Sequence, residues 1–304
     1  MKKLRMFLLI FIALIAVLYL IPVPQKDFSE LYKGEENIKT SLLSFREIPT
    51  KHLTHNGADW QYISTGYGEK HLLFLHGMGG AYDIWWQQIE ALKNDFHIIS
   101  TTLPEVHSLD EAIDGLVAIL DEEGVKKTSI VGSSMGGYMA QYFLKKHPKR
   151  LDKLVLGNTF PPNDIYKKEN GGIRKALPFI PEWLIMKIFR GSLSEKVTPY
   201  SENSPLVEAY LLEQYYGGMG KGQFIGRLDV VLDYFETGYS EAKKSIPKLI
   251  IESDNDPLVD PVLQNKLKEL YPEAEVFAFH GKGHFPYLNE AVKYNEVLTG
   301  FLLK

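Results

Sequence analysis

Gly132-Ser133-Ser134-Met135-Gly136 is a G-x-S-x-G pentapeptide that directly follows the apolar run Thr128 to Val131. A helix pattern begins at once behind it, through Gly137, Tyr138, Met139 and Ala140. Strand, tight turn and helix in succession would lift Ser134 to the top of a sheet, with its hydroxyl exposed and a helix N-terminus aimed at it. A serine so placed suits nucleophilic attack on an acyl carbon. The flanking glycines allow the sharp turn and the close approach of neighbouring backbone. Ser133 falls on the other side of the turn and reads as a bystander. The five letters alone are a weak signal; the strand and helix around them supply the specificity.

Three further loops complete the chemistry. His76-Gly77-Met78-Gly79-Gly80 follows the apolar run Leu72 to Leu75. Acyl transfer needs backbone donors for the developing oxyanion, and the amides of Met78 and Met135 are the candidates. His76 and Gly77 would then support the loop, His76 as a brace rather than a base. Glu252-Ser253-Asp254-Asn255-Asp256-Pro257 follows Leu249 to Ile251. A carboxylate at a strand end can orient a histidine, and Asp256, just ahead of Pro257, is favoured over Asp254 and Asp260. Val259 stands where a calcium loop of this spacing needs glycine, so that reading is rejected. Gly281-Lys282-Gly283-His284-Phe285 follows Glu275 to Phe279, and His284 is the candidate general base, with His280 as the alternative. The order Ser, Asp, His is the one this arrangement requires.

Other patterns do not carry function. Gly217 to Gly222 lacks the Lys-Ser/Thr ending of a phosphate loop, and His52 with His55 is an H-x-x-H pair without a third ligand. No metal site and no cofactor are expected. The chain has no cysteine, which excludes a thiol nucleophile and disulfides.

The elements that must hold these loops are legible as alternation. Strands are expected at Trp60 to Ser64, His71 to Leu75, Phe96 to Thr101, Thr128 to Val131, Leu151 to Leu156, Lys248 to Ile251 and Glu275 to Phe279. Helices are expected at Asp83 to Leu92, Leu109 to Glu122, Gly136 to Lys146, Pro261 to Leu270 and Glu290 to Leu303. Apolar strands alternating with amphipathic helices imply an α/β class with a mostly parallel sheet covered by helices. Between about 159 and 245 the rhythm breaks at Pro161-Pro162, Gly171-Gly172 and Gly217-Gly218. Helix patterns at Glu182 to Phe189, Pro205 to Tyr216 and Phe224 to Phe235 suggest a helical insertion between two strands of the sheet.

The composition, 304 residues with 24% charged and net charge −4, is that of a globular protein and gives no basic stripe for nucleic acid. One local extreme departs from it. Met6 to Val23 carries no charged residue, with Lys2, Lys3 and Arg5 before it and Lys26 and Asp27 after it. About 18 residues nearly span a hydrocarbon core of about 30 Å. Residues 1–24 are expected to form an uncleaved signal anchor, with the N-terminus cytoplasmic and the rest outside. A cleaved signal, giving a secreted protein, is the alternative, although no A-x-A-like site follows the run. Removing the three leading cations takes the net charge from −4 to −7. Residues 25–49 read as a juxtamembrane stalk or short helix, and 50–304 as the α/β domain with its insertion.

With these four loops in this order, the chain resembles α/β-hydrolase-fold proteins from about Trp60 to Leu302. The resemblance implies Ser134 as nucleophile, Asp256 as acid, His284 as base, and the insertion as a cap that shapes an acyl pocket. A serine at the elbow speaks against the haloalkane dehalogenases and epoxide hydrolases. A closer resemblance is to the maspardin group. It is carried by Leu154 to Phe160, Leu184 to Ser192, Gly283 to Leu288 and the short connection Thr101 to Pro104. Many hydrolases place D-x-R-G-x-G-x-S in that connection, and this chain does not. Animal maspardins look deficient in the triad around the histidine loop and are regarded as interaction proteins. This chain has both His76-Gly77 and His284, which favours activity.

The expected function is therefore that of a membrane-anchored serine hydrolase acting on a carboxylic ester, with peptide bonds a lesser possibility. A small-molecule acyl substrate, and the lipid bilayer through the N-terminal helix, are the expected partners. The other reading is a weak or inactive binding protein on the same scaffold. Cap aromatics (Phe179, Trp183, Phe189, Tyr215, Tyr216, Phe224, Tyr234, Phe235) suggest an apolar acyl group, although packing within the cap would account for many of them.

Overall fold

The computed structural model describes residues 2–238 and 244–304, and their side chains except at positions 2, 8 and 11–15. Among these residues eight strands form one sheet: β1 (Lys51–His55), β2 (Ala58–Thr65), β3 (Lys70–Leu75), β4 (Phe96–Thr101), β5 (Thr128–Ser133), β6 (Leu151–Gly157), β7 (Lys248–Ser253) and β8 (Glu275–Phe279). Their spatial order is β1-β2-β4-β3-β5-β6-β7-β8. The first two pairings, β1 with β2 and β2 with β4, are antiparallel, and the other five are parallel. This is the mostly parallel architecture expected, and every expected strand is present.

The strand β1 was not anticipated. Its residues Lys-His-Leu-Thr-His are largely exposed on an edge, so they lack the apolar run that marks the inner strands. The Asn56-Gly57 turn makes it, with φ of 50° and 83°, which suits a two-residue hairpin. His52 and His55 lie on this edge strand and pair with Asp59 and Asp114.

Alternation along the inner strands sorts side chains into two apolar layers. Leu72 and Phe74 of β3 enter one, and Leu73 and Leu75 the other. Helices α4 (Trp86–Leu92) and α13 (Ala291–Leu302) cover the first layer, with Trp86, Ile89, Tyr294 and Leu298 buried beneath them. Helices α5 (Leu109–Glu122), α6 (Met135–Lys146) and α11 (Pro261–Leu270) cover the second. The expected start of α4 at Asp83 is a turn instead, and a short helix α12 (Pro286–Asn289) precedes α13.

Between β6 and β7, the described residues include the α-helices α7 (Ile165–Ala176), α8 (Glu182–Lys196), α9 (Pro205–Glu213) and α10 (Lys221–Leu232). Their far boundary abuts residues 239–243, which lie outside the described residues. The first of them runs through Gly171-Gly172, where a break was expected. It buries no residue and is fastened at its ends, by Asn163 accepting from the amides of Ile165 and Tyr166 and by Arg174 paired with Asp229.

The N-terminal segment forms α1 (Lys2–Leu20), α2 (Phe28–Leu31) and α3 (Glu36–Arg46). Among the described residues no helix is long and apolar enough to cross a membrane. The expected span runs over positions 8 and 11–15, whose side chains are outside the described set. The end of α1 touches the insertion: Trp183 Nε1 donates to Leu18 O at 2.8 Å, and Tyr19 Oη donates to Phe179 O at 2.5 Å.

Residues 25–49 take the helical form of the two expected, and they do not stand free. Phe28 and Leu42 are fully buried, Phe45 and Tyr32 nearly so. Arg46 donates to Asp83 Oδ2 at 2.6 Å and to both carboxylate oxygens of Glu213, and Tyr210 donates to Asp83 as well. Leu42→Ala is therefore expected to cost about 2–5 kcal/mol of domain stability in urea denaturation, as a buried leucine does. The exposed neighbour change Thr40→Ala should stay within about 0.5 kcal/mol.

Candidate active site

Ser134 is the single residue between β5 and α6, and its backbone sits at φ 54°, ψ −122°. A non-glycine residue rarely adopts that conformation and holds it only when its surroundings over-determine it. Here they do. Ser134 N donates to Gly157 O at 2.9 Å, and Ser134 O accepts from Tyr138 N at 3.0 Å and Thr159 Oγ1 at 2.6 Å. The turn also demands glycine on both flanks. A Cβ on Gly132 would lie 2.3 Å from Gly136 O, and one on Gly136 would lie 2.2 Å from Leu75 O. Met135 opens the helix, so its amide is one of the orphan donors of the first turn.

The Asp256 side chain is buried in the loop after β7. Its carboxylate accepts from His284 Nδ1 at 2.8 and 2.9 Å, from Asn158 Nδ2 at 2.9 Å, and from the amides of Leu258 and Val259 at 2.8 and 3.2 Å. Burial alone would push this carboxyl up, but the nearby charge of His284 and the hydrogen bonds from His284, Asn158 and Leu258 hold it below its ordinary value. It stays ionised, as an orienting group must. With Nδ1 committed to Asp256, Nε2 is the histidine atom left to face a reactant; this tautomer is assigned from the partner. The alternatives are engaged elsewhere. Asp254 pairs with the exposed His280 at 2.8 Å, and Asp260 caps α11 by accepting from Val262 N at 2.7 Å.

His76 is fully enclosed behind the Gly-rich loop. Its Nε2 accepts from Leu103 N at 2.9 Å, and its Nδ1 donates to Gly77 O at 2.6 Å. Burial, with Arg227 nearby, pushes its pKa down to about 3, so it is a neutral brace. Gly77 is closely approached, since a Cβ there would be 3.1 Å from Ser134 Cβ. Among the described residues, Met78 N–H has no acceptor within the protein.

Ser134, His284 and Met78 line one cavity of about 330 Å³, walled mainly by apolar side chains including Phe160, Phe189, Tyr215 and Phe224. A more open cleft of about 480 Å³ lies beside Arg46 and Glu213, and no serine or histidine lines it. Of the insertion's aromatics, Phe160, Tyr166, Phe189, Tyr215 and Phe224 thus reach the cavity. Phe235 packs on Tyr138 in the core, Tyr216 stacks under Arg190, and Phe179 is 77% exposed. Tyr234 is also exposed, and Trp183 meets α1.

Three residues escaped sequence reasoning. Asn158, at φ 40°, ties Asp256 to Gly283 O; Thr159 fastens the Ser134 carbonyl; Arg227 supports the loop of Met78 from the insertion. For the first, the available signal was only an asparagine just after the apolar strand Leu151 to Leu156. An arginine inside the apolar pattern of α10 pointed to the last.

A family model described as the alpha/beta hydrolase fold matches residues 70–291. Maspardin of Mus musculus is 26% identical over 239 residues, which is 77% of this chain and 75% of that protein. The 2-hydroxy-6-oxononadienedioate/2-hydroxy-6-oxononatrienedioate hydrolase of Paraburkholderia phymatum is 24% identical over 266 residues, 79% of this chain and 90% of that one. Among solved structures, a bacterial membrane phospholipase A superposes with a TM-score of 0.68 at 18% identity, over 99% of this chain and 98% of that one. That likeness is one of fold, and its extent takes in the N-terminal helix.

The neutral brace has a pH signature. The His76 pKa is about 3 in the fold against 6.5 for the free side chain, so the unfolded chain binds the proton first. Its contribution to stability is complete above pH 6.5 and is lost as pH falls from there toward 3. Urea midpoints measured across that window should fall less steeply for His76→Gln, whose amide can still accept and donate, than for the wild type.

Proposed function

The chain belongs to the α/β-hydrolase-fold family, and from that membership we propose that it is a membrane-anchored serine hydrolase of carboxylic esters with an apolar acyl group. One observation carries this reading. Ser134, on its strained turn, and His284, bonded from behind by Asp256, line a single, largely apolar cavity together with Met78.

In the proposed reaction, Ser134 Oγ attacks the acyl carbon and His284 Nε2 takes its proton. The imidazolium that forms is stabilised by Asp256. The carbonyl oxygen becomes an oxyanion facing the amides of Met78 and Met135. Collapse breaks the ester C–O bond, and His284 returns the proton to the leaving alcohol. Water then attacks the acyl-enzyme with His284 as base, releasing the acid and restoring Ser134. His76 and Gly77 hold the loop that carries Met78. The apolar walls from Phe160, Phe189 and Phe224 favour acyl chains that bury methylenes, each worth about 0.8 kcal/mol of transfer.

Anchoring is proposed on the uncharged run Met6 to Val23 with the cations Lys2, Lys3 and Arg5 ahead of it. Tyr19, which donates to Phe179 O, and Trp183, which donates to Leu18 O at the far end of α1, are residues suited to a membrane–water boundary. In this reading 1–24 anchors the chain, and 50–304, with residues 25–49 packed into its core, is the working domain, outside the cytoplasm. Carbonate washing of membranes should leave the full chain in the pellet; release into the supernatant would remove the anchor from the proposal.

A p-nitrophenyl ester series should show kcat/KM rising with chain length until the cavity is filled. Ser134→Ala and His284→Ala should each lower kcat by about 10⁴-fold or more, and Ser134→Ala should abolish labelling by a fluorophosphonate. Wild-type protein that is folded yet neither labelled nor active on any ester would return the chain to the reading of a binding protein on a hydrolase scaffold.

A further inference from the structure

Arg227, on α10 of the insertion, is fully buried. Its Nη1 donates to Met78 O at 2.6 Å and Gly80 O at 2.9 Å, and its Nη2 donates to Leu103 O at 3.3 Å. All of these acceptors are neutral carbonyls, and among the described residues no carboxylate pairs with this cation. Burial lowers its pKa to about 10, with Tyr215 and Tyr210 opposing, so it remains charged at neutral pH. A buried charge without a counter-ion is costly, and an arrangement that keeps one invites a reason.

The loop it grips supplies one. Gly77 O is held from behind by the His76 ring at 2.6 Å and by Gly80 N at 3.1 Å. Met78 O and Gly80 O are held by Arg227. The carbonyls of Gly77, Met78 and Gly80 are thus all engaged, and Met78 itself lines the cavity. The anchoring comes partly from the main domain, through His76, and partly from the insertion, through Arg227.

Building on the proposed hydrolase reading, we infer that Arg227 is a positioning residue for the oxyanion site: it fixes the Met78 amide and places a buried positive charge behind it, so that the insertion must be seated for the site to be complete. Negative charge appears at this place only as the reaction proceeds. The cation therefore acts on the transition state rather than on substrate binding.

The test uses the full chain and a p-nitrophenyl ester, with an alkyl trifluoromethyl ketone as the second probe, since its adduct on Ser134 carries an oxyanion. Arg227→Met should lower kcat by about 10²-fold with KM within about threefold of wild type. The ketone should weaken by the same factor as kcat falls. Arg227→Lys, which keeps the charge and part of the donor set, should recover about tenfold over Arg227→Met and remain about tenfold below wild type. If Arg227→Met does not fold, Arg227→Lys decides on the same readouts: an equal loss in kcat and ketone affinity supports the inference. Either folded variant retaining kcat and ketone affinity within about twofold, or changing KM alone, overturns it. Wild-type protein that turns over no ester and forms no ketone adduct fails on the hydrolase reading instead, which separates the two outcomes.

Discussion

One turn constrains the rest of this molecule. The chain passes from β5 into α6 through the single residue Ser134, in a conformation that costs about 1–3 kcal/mol for a side chain other than glycine. Holding it requires Gly132 and Gly136 to have no Cβ, Gly157 to accept from its amide, and Thr159 to clasp its carbonyl. These partners come from β5, α6 and the end of β6, so the sheet must be assembled before the serine can be held there. The strain is local, but its support is distributed over the centre of the fold.

The loops around the turn show two ways of managing charge in a buried setting. Asp256 keeps its charge because four donors surround it, and His284 is oriented by the same bonds. His76 is kept neutral by burial and serves as a relay of hydrogen bonds between Leu103 and Gly77. The two histidines have the same side chain and opposite tasks, and the difference is set by whether a carboxylate stands next to the ring.

How far the sequence could be read depended on how local each role is. Ser134, Asp256 and His284 each follow an apolar strand within a few residues, so alternation located the loops and residue type suggested the chemistry. Asp254, Asp256 and Asp260 differ in tertiary partners that spacing does not reveal: a surface histidine for the first, the buried His284 for the second and a helix cap for the third. Asn158 and Arg227 act on residues 98 and 149 positions away, distances at which spacing carries no information. The edge strand β1 and the helix α7 were missed because neither has a fully buried residue, and the apolar contacts of α7 are confined to Ile165 and Tyr166 at its start, too few for periodicity to detect. The helices α2 and α3 were blurred for a related reason, since their buried residues (Phe28, Tyr32, Leu42, Phe45) are sparse in a polar segment.

The packing of residues 25–49 bears on reach. A flexible coil of that length would let a tethered domain wander by about 25–30 Å from its attachment point, sampling many headings. Docked through Phe28, Leu42 and the Arg46 ion pairs, the same segment gives no such play. The two ends of the segment are then held at one separation and one heading by packing, where a coil would leave both free to vary.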